Sequence, residues 1–129
     1  MVKEFLGCDP TLPHGPNGKT WQEWHMQAYV VQEARRMGYC VAADMNAGKR
    51  NGARAKAEGM QAGETDLRFY LPGAMMALIE LKRKGGSVSK AQKELHQTLR
   101  LLGFYVAVVF ADSPADMWDK VRALLPDIP

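Results

Sequence analysis

The stretch "GETDLRFYLPGAMMALIELKRKGG", residues 63–86, consists of two short apolar runs joined by a Pro-Gly turn. Two such runs that meet at Pro-Gly are typical of a β-hairpin. The first run opens on Asp66, and the second ends with Glu80 and Lys82. The most buried-looking hairpin of the sequence therefore has two carboxylates and an ammonium at its ends.

The length of the turn decides whether these side chains meet. Residues two apart on a strand share a face, so Glu80 and Lys82 point the same way. A three-residue loop centred on Gly73 would place Asp66 opposite Glu80 on that face. A strict two-residue turn would pair Asp66 with Ile79 and direct its carboxylate to the other face. A functional cluster therefore requires an odd-numbered loop or a bulge.

Two adjacent carboxylates with a neighbouring lysine predict a site for a divalent cation. Like charges held close together are costly unless a cation or a proton relieves them. Carboxylate oxygens favour Mg²⁺ or Mn²⁺ over zinc. Such a cation activates water, and Lys82 would orient that water or offset charge in the transition state. The alternative is a surface salt bridge between Glu80 and Lys82, which is the simpler interpretation of an isolated E-x-K triplet.

The rest of the chain predicts one α/β domain with a mixed sheet flanked by helices. Residues 1–19, rich in Pro and Gly, predict an irregular arm, and residues 20–129 the domain. Thr20 predicts an N-cap that Glu23 completes as a capping box, and Trp24, Ala28, Val31 and Ala34 predict the apolar face of the helix that follows. The predicted element order is α-β-(α)-β-β-α-β-α.

The remaining elements follow from short local signals. Residues 39–43 predict a strand, and residues 52–60 a short helix within a Gly-rich loop. Ser87 or Ser89 predicts the cap of a helix with an apolar face of Leu95, Leu99 and Leu102. "FYVAVVF" (104–110) predicts a strand buried on both faces. Ser113 and Pro114 open a last helix.

Composition places the chain among small soluble proteins. Its 129 residues suit one domain, and its formal charge of +3 does not by itself imply a nucleic-acid partner. No apolar run is long enough to cross a bilayer, and no signal-peptide pattern opens the chain, so we expect no membrane association. Cys8 and Cys40 lack metal-type spacing. We therefore expect a reducing, cytoplasmic setting.

The cations are clustered on both sides of the hairpin. Such clusters can bind the DNA backbone, and glycines between them allow close approach. The alternative is two solvated charged faces. The candidate DNA-binding residues are Lys49, Arg50, Arg54, Lys56, Arg83, Lys84 and Lys90.

Four segments together resemble one nuclease family. They are the pattern of Asp66 with Glu80-Leu-Lys82, "AKAEGMQAGETDL" (55–67), "LKRKGGSVSKAQKELHQTLRLLGFYVAVV" (81–109) and "EWHMQ" (23–27). In this order they resemble the VRR-NUC domain of the PD-(D/E)xK nucleases, over about residues 20–112. Thr65, preceded by Glu64, stands where that family usually has proline.

The resemblance implies a restriction-endonuclease-like fold and a role for each matching residue. Asp66, Glu80 and the backbone carbonyl of Leu81 would bind the metal, and Glu23 would reach the same site from the first helix, through a water or a second metal. Lys82 would be the catalytic lysine, and Gln92 would line the site. The implied catalytic residues are thus Lys82, Glu80, Asp66 and Gln92.

The sequence gives His96 no such role, and we expect it to be an ordinary surface or rim histidine. We expect Trp21, Trp24 and Trp118 to pack in the core.

The sequence and the resemblance together predict an endonuclease that hydrolyses DNA with Mg²⁺ or Mn²⁺. The family is associated with junction resolution and with flap or crosslink repair, and its stand-alone members resemble this chain in length. A two-fold homodimer would match the symmetry of a four-way junction, so we expect a Holliday-junction-resolving homodimer of phage type acting in a bacterial or phage-infected cell. The alternatives are a non-catalytic DNA-binding or assembly module, and a restriction-type nuclease that cuts duplex DNA.

Overall fold

The computed structural model describes residues 4–44, 52–59 and 61–129. These residues form helices and strands in the predicted order. The elements are α1 (Glu23–Arg36), β1 (Cys40–Ala43), α2 (Gly52–Ala57), β2 (Leu67–Leu71), β3 (Met75–Arg83), α3 (Lys90–Leu101), β4 (Tyr105–Ala111) and α4 (Pro114–Leu124).

The four strands form one mixed sheet in the order β1-β2-β3-β4. The first three strands pair antiparallel, and β4 pairs parallel to β3. The predicted mixed sheet is therefore confirmed. The expectation that β4 is buried on both faces is wrong, because β4 lies at the edge of the sheet and Tyr105 and Phe110 are exposed.

Helices cover the two faces of the sheet unequally. Ile79 and Leu81 on β3 belong to the main apolar core, together with Met26 of α1 and Met117 of α4. Because side chains alternate along a strand, Glu80 points to the opposite face. That face is covered by α3, whose side chains Gln92 and His96 reach Glu80, while the main apolar core lies beneath α1 and α4.

The start of α1 differs from its prediction. The helix begins at Glu23 with Gln22 as N-cap, and the backbone N–H of Gln22 donates to Nδ1 of His25 at 3.0 Å. Thr20 instead forms a β-bridge with His14 and cannot cap the helix. The predicted capping box is therefore wrong, and the carboxylate of Glu23 is left for another contact.

The buried face of α1 matches the predicted one only in part, since Ala34 is buried and Val31 packs against the core as predicted. Met26 and Val30 are buried, whereas Trp24 is 59% exposed and Ala28 is exposed. The indole N–H of Trp24 donates to the side chain of Gln22 at 3.2 Å. Core packing therefore holds for Trp21 and Trp118 but not for Trp24.

The predicted arm packs on the domain over the residues described. Between residues 4 and 19 it contains a 3-10 turn (Pro16–Gly18) and no α-helix. Phe5 enters the core, and the indole N–H of Trp21 donates to the carbonyl of Leu12 at 2.8 Å. A Cβ at Gly15 would lie 2.7 Å from the Trp21 ring, so only glycine fits beneath that ring. Among the described helices, none is long and apolar enough to cross a bilayer.

Candidate active site

The hairpin has the odd-numbered loop that the functional interpretation requires. Three residues, Pro72–Ala74, connect β2 to β3 in a 3-10 turn. The ladder ends with Leu67 opposite Ile79, so the next step along it places Asp66 opposite Glu80. The two carboxylates therefore share one face of the sheet.

The carboxyl groups of Asp66 and Glu80 lie side by side. Oδ2 of Asp66 accepts a hydrogen bond from the backbone N–H of Leu81 at 2.7 Å. The two carboxyl groups are close enough for the negative charge of Asp66 to raise the pKa of Glu80. Glu80 is only 2% exposed and Asp66 is partly buried, so the pair is not freely solvated.

The first turn of α3 holds Gln92 against this pair. Ser89 caps the helix, with its hydroxyl accepting from the N–H of Gln92 at 3.1 Å and its own N–H donating to Oε1 of Gln92 at 2.8 Å. The other end of the Gln92 amide is then free to donate from Nε2 to Oε2 of Glu80 at 3.0 Å. Helix capping and the site thus use the same side chain.

Lys82 completes the predicted cluster. Its Nζ lies 3.8 Å from Oε2 of Glu80, and its side chain is largely buried. The contact is therefore not an exposed surface ion pair of the kind that an isolated E-x-K triplet suggests. The structure brings together Asp66, Glu80, Lys82 and Gln92, as the resemblance implies.

His96 lies where the sequence interpretation did not place it. It is 2% exposed, and its Nε2 is 3.9 Å from Oε1 of Glu80. The expectation of a surface or rim histidine is wrong, because the face of α3 that carries Gln92 and His96 packs on the sheet. The predicted apolar face is partly exposed instead, with Leu102 69% exposed. The four-residue spacing of Gln92 and His96 indicates that they share a face of α3, but not that this face is buried.

The protonation of the pair follows from its burial. Burial, followed by the negative charge of Asp66, raises the pKa of Glu80 to about 9, and the Lys82 ammonium only partly opposes this. Burial also raises the pKa of Asp66, against the hydrogen bond from Leu81. In the metal-free protein Glu80 therefore holds a proton at neutral pH.

The remaining predicted ligands lie beside this pair. Oε2 of Glu23 accepts from the backbone N–H of Arg83 at 3.1 Å, and its charge raises the pKa of both Asp66 and Glu80. The N–H of Leu81 faces Asp66, and a strand residue directs its N–H and C=O to the same side, so the Leu81 carbonyl also points toward the β2 side. No residue of β2 pairs with Leu81 there.

The donor set fits a hard divalent cation that keeps several waters. A buried Glu80 beside a partly buried Asp66 presents the charge repulsion that a cation would relieve. Among the described residues, no group of three or more His, Cys, Asp or Glu side chains is arranged to hold a metal. Two carboxylates and a backbone oxygen suit Mg²⁺ or Mn²⁺, which retain water ligands, better than zinc, which takes three or four protein ligands.

The predicted DNA-binding residues are exposed wherever they are described. Arg83 and Lys84 directly follow Lys82 along the chain. Arg54 forms an ion pair with Glu58 at 2.6 Å, and Lys90 lies 3.9 Å from Glu94. Lys56 is also exposed, whereas Lys49 and Arg50 lie outside the described residues.

Comparison with known proteins identifies the class of fold. A solved structure described as "VRR_NUC domain" is 21% identical, with a TM-score of 0.55, covering 79% of this chain and 91% of that chain. Another, described as "VRR_NUC domain protein", is also 21% identical, with a TM-score of 0.66, covering 86% of this chain and 95% of that chain. No family model matches the sequence, and no curated protein matches it significantly.

The chain thus has a mixed α/β fold in which two carboxylates lie side by side at the end of the central hairpin. More specifically, the chain has the fold of the VRR-NUC domain, as the two solved structures show. The PD-(D/E)xK pattern on Asp66, Glu80 and Lys82 is consistent with that fold.

Proposed function

We propose that this chain is a divalent-metal-dependent DNA endonuclease that hydrolyses phosphodiester bonds. The observation that supports this most strongly is the proximity of Asp66 to the buried Glu80, with the Lys82 ammonium 3.8 Å from the Glu80 carboxyl. A fold shared with solved VRR-NUC domains agrees with it.

Asp66, Glu80 and the Leu81 carbonyl would hold Mg²⁺ or Mn²⁺, with Glu23 contributing through a water or a second ion. Bound there, the cation would supply charge neutralisation at the scissile phosphate and lower the pKa of the attacking water. The side chains themselves have separate tasks. Gln92 fixes Oε2 of Glu80 through its hydrogen bond.

Lys82 has the central chemical role among the side chains. Its ammonium lies beside the carboxylates, where it would orient the attacking water and offset the charge that develops on the phosphoryl oxygens. Hydrolysis forms a bond from the water oxygen to phosphorus and breaks the bond from phosphorus to the leaving sugar oxygen. The exposed cations Arg54, Lys56, Arg83, Lys84 and Lys90, and the two outside the described residues, Lys49 and Arg50, would bind the flanking phosphates.

The direct test is cleavage of labelled DNA by the purified protein with Mg²⁺, with Mn²⁺ and with chelator. The variants Asp66→Asn, Glu80→Gln and Lys82→Met keep the side-chain size and remove the charge. We expect each to lower the rate about a hundredfold or more, the usual cost of losing a preorganised charged group. Asp119→Asn, at an exposed acid on α4, is the matched control. Cleavage that persists in chelator, or full activity of the variants, would contradict the proposal.

We further propose that the natural substrate is branched DNA and that the active form is a homodimer. One chain offers one such site and cuts one strand, whereas a two-fold dimer presents two sites to a four-way junction. The test compares junction, flap, single-stranded and duplex DNA at equal concentrations and measures the solution mass by light scattering. A monomeric mass with equal cutting of plain duplex would remove this refinement and leave the nuclease proposal intact.

A further inference from the structure

One oxygen of the Glu80 carboxyl accepts a hydrogen bond from α3, whereas the other has only a longer contact with α3. Nε2 of Gln92 donates to Oε2 at 3.0 Å. One helical turn further along α3, Nε2 of His96 faces Oε1 at 3.9 Å, just beyond hydrogen-bond length. The two α3 side chains therefore approach the two oxygens of the same carboxyl group.

Neither atom of the longer contact has another partner. Oε1 of Glu80 and Nε2 of His96 are both buried and lack a hydrogen bond to any described residue. Buried polar atoms are nearly always paired, and two unpaired atoms of opposite role that face each other can satisfy each other.

Burial and the neighbouring cations lower the pKa of the His96 ring. Burial lowers its pKa first, the Arg100 guanidinium and the Lys82 ammonium lower it further, and Asp66 only partly opposes them. Glu80 and Asp66 face the ring from the sheet, and Arg100 follows on α3 itself. A neutral imidazole still has one N–H to donate, so no positive charge is needed for the contact.

We propose that His96 is a positioning residue that donates its Nε2–H to Oε1 of the ionised Glu80. This inference rests on the proposed function, since the ionised carboxylate is the form that would hold the cation. Gln92 and His96 then hold the carboxylate from both oxygens. Each oxygen keeps a second lone pair for the ion. Outer partners of this kind typically change metal affinity about tenfold to a hundredfold.

The test uses two substitutions with opposite hydrogen-bonding ability. His96→Leu fills the space without a donor, and His96→Gln keeps an N–H donor. Gln97→Leu, at an exposed position on the same helix, is the matched control. Mn²⁺ affinity is measured by calorimetry on the protein without DNA, and unfolding in denaturant is measured without metal.

We expect His96→Leu to weaken Mn²⁺ binding about tenfold or more while the metal-free protein stays as stable as the wild type. His96→Gln should restore most of the affinity, and Gln97→Leu should match the wild type. Wild-type Mn²⁺ affinity in His96→Leu would overturn the proposal. So would equal losses in both His96 variants, which would indicate a purely structural role.

A measurement on the unsubstituted protein keeps the proposal testable if the Leu variant does not fold. Long-range ¹H–¹⁵N correlation of the His96 ring should show the Nε2–H tautomer in the Mg²⁺-loaded protein, and an Nδ1–H tautomer would overturn the proposal.

Failure of the proposed nuclease function would give a different result in the Mn²⁺-binding experiment. In that case the wild type and Glu80→Gln would bind Mn²⁺ equally poorly, and both proposals would fall together.

Discussion

At Glu80, one residue has to satisfy two opposing requirements. Its burial beside Asp66 raises the pKa of the carboxyl to about 9, yet a metal ligand must be ionised. In the metal-free state the carboxyl therefore holds a proton that cation binding has to displace. Lys82 and the amide of Gln92 reduce the cost of ionisation without removing it.

The raised pKa of Glu80 predicts that the stability of the metal-free protein depends on pH. The unfolded value is 4.5 and the folded value about 9, so between them the folded state binds the extra proton. The free energy of unfolding of the metal-free protein should therefore fall as pH rises through that window, by at most about 1.4 kcal/mol per pH unit for one proton. Glu80→Gln, which resembles the protonated carboxyl, should remove that part of the slope.

The measurement is urea unfolding in chelator at several values of pH above neutrality. This range avoids His96, whose pKa is lowered from 6.5, so its contribution lies below neutral pH. Glu94→Gln, an exposed acid, serves as the control and should keep the wild-type slope. Identical slopes for the wild type and Glu80→Gln would show that the carboxyl is ionised in the folded protein.

At the scale of elements, capping and turn residues specified the order of helices and strands well. Ser89 and Ser113 do cap α3 and α4, and the Pro-Gly turn does join β2 to β3. The buried face of each helix was harder to predict. It depends on which layer packs against the helix, and local spacing does not report that.

The two helix faces illustrate this limit. In α1 the exposed Trp24 suggested a core face, but the buried positions follow Met26 and Val30. In α3 the leucines suggested the packed face, but the helix directs Gln92 and His96 toward Glu80. The candidate site was therefore predictable from its motif, whereas the burial of His96 required the tertiary structure.

The loop before β2 packs closely against the first turn of α3, and this packing yields a second prediction. A Cβ at Gly63 would lie 2.4 Å from the carbonyl oxygen of Ala91 in the first turn of α3, and Gly63 has φ +83°. The clash is with backbone, which cannot rotate away. Gly63→Ala should thus lower the free energy of unfolding by about 1–3 kcal/mol beyond the cost of its left-handed conformation.

Gly73→Ala is the matched control for Gly63→Ala. Gly73 has a similar φ of +76°, but a Cβ there would meet nothing within 4 Å. It therefore carries the conformational cost without the clash. Chemical denaturation of both variants measures the difference, and equal losses of stability would show that the loop before Asp66 can move away from α3.

At the scale of the whole molecule, charge distribution matters more than net charge. The formal charge is only +3, yet the described cations Arg83, Lys84 and Lys90 lie within eight residues of Lys82. Each phosphate contact releases condensed counterions, so affinity for DNA should fall steeply with salt concentration. If Lys84 contacts a phosphate, Lys84→Ala should lower the slope of log K against log salt by about one.

This slope is best measured by fluorescence anisotropy in the Glu80→Gln background, where binding can be followed without cleavage. Arg122→Ala, an exposed position on α4, is the control because α4 covers the face of the sheet opposite the site. A two-fold dimer on a junction doubles the contacts, so the Lys84→Ala effect should approach two per dimer, whereas a monomer on duplex gives one. An unchanged slope would mean that Lys84 contacts no phosphate in the bound DNA.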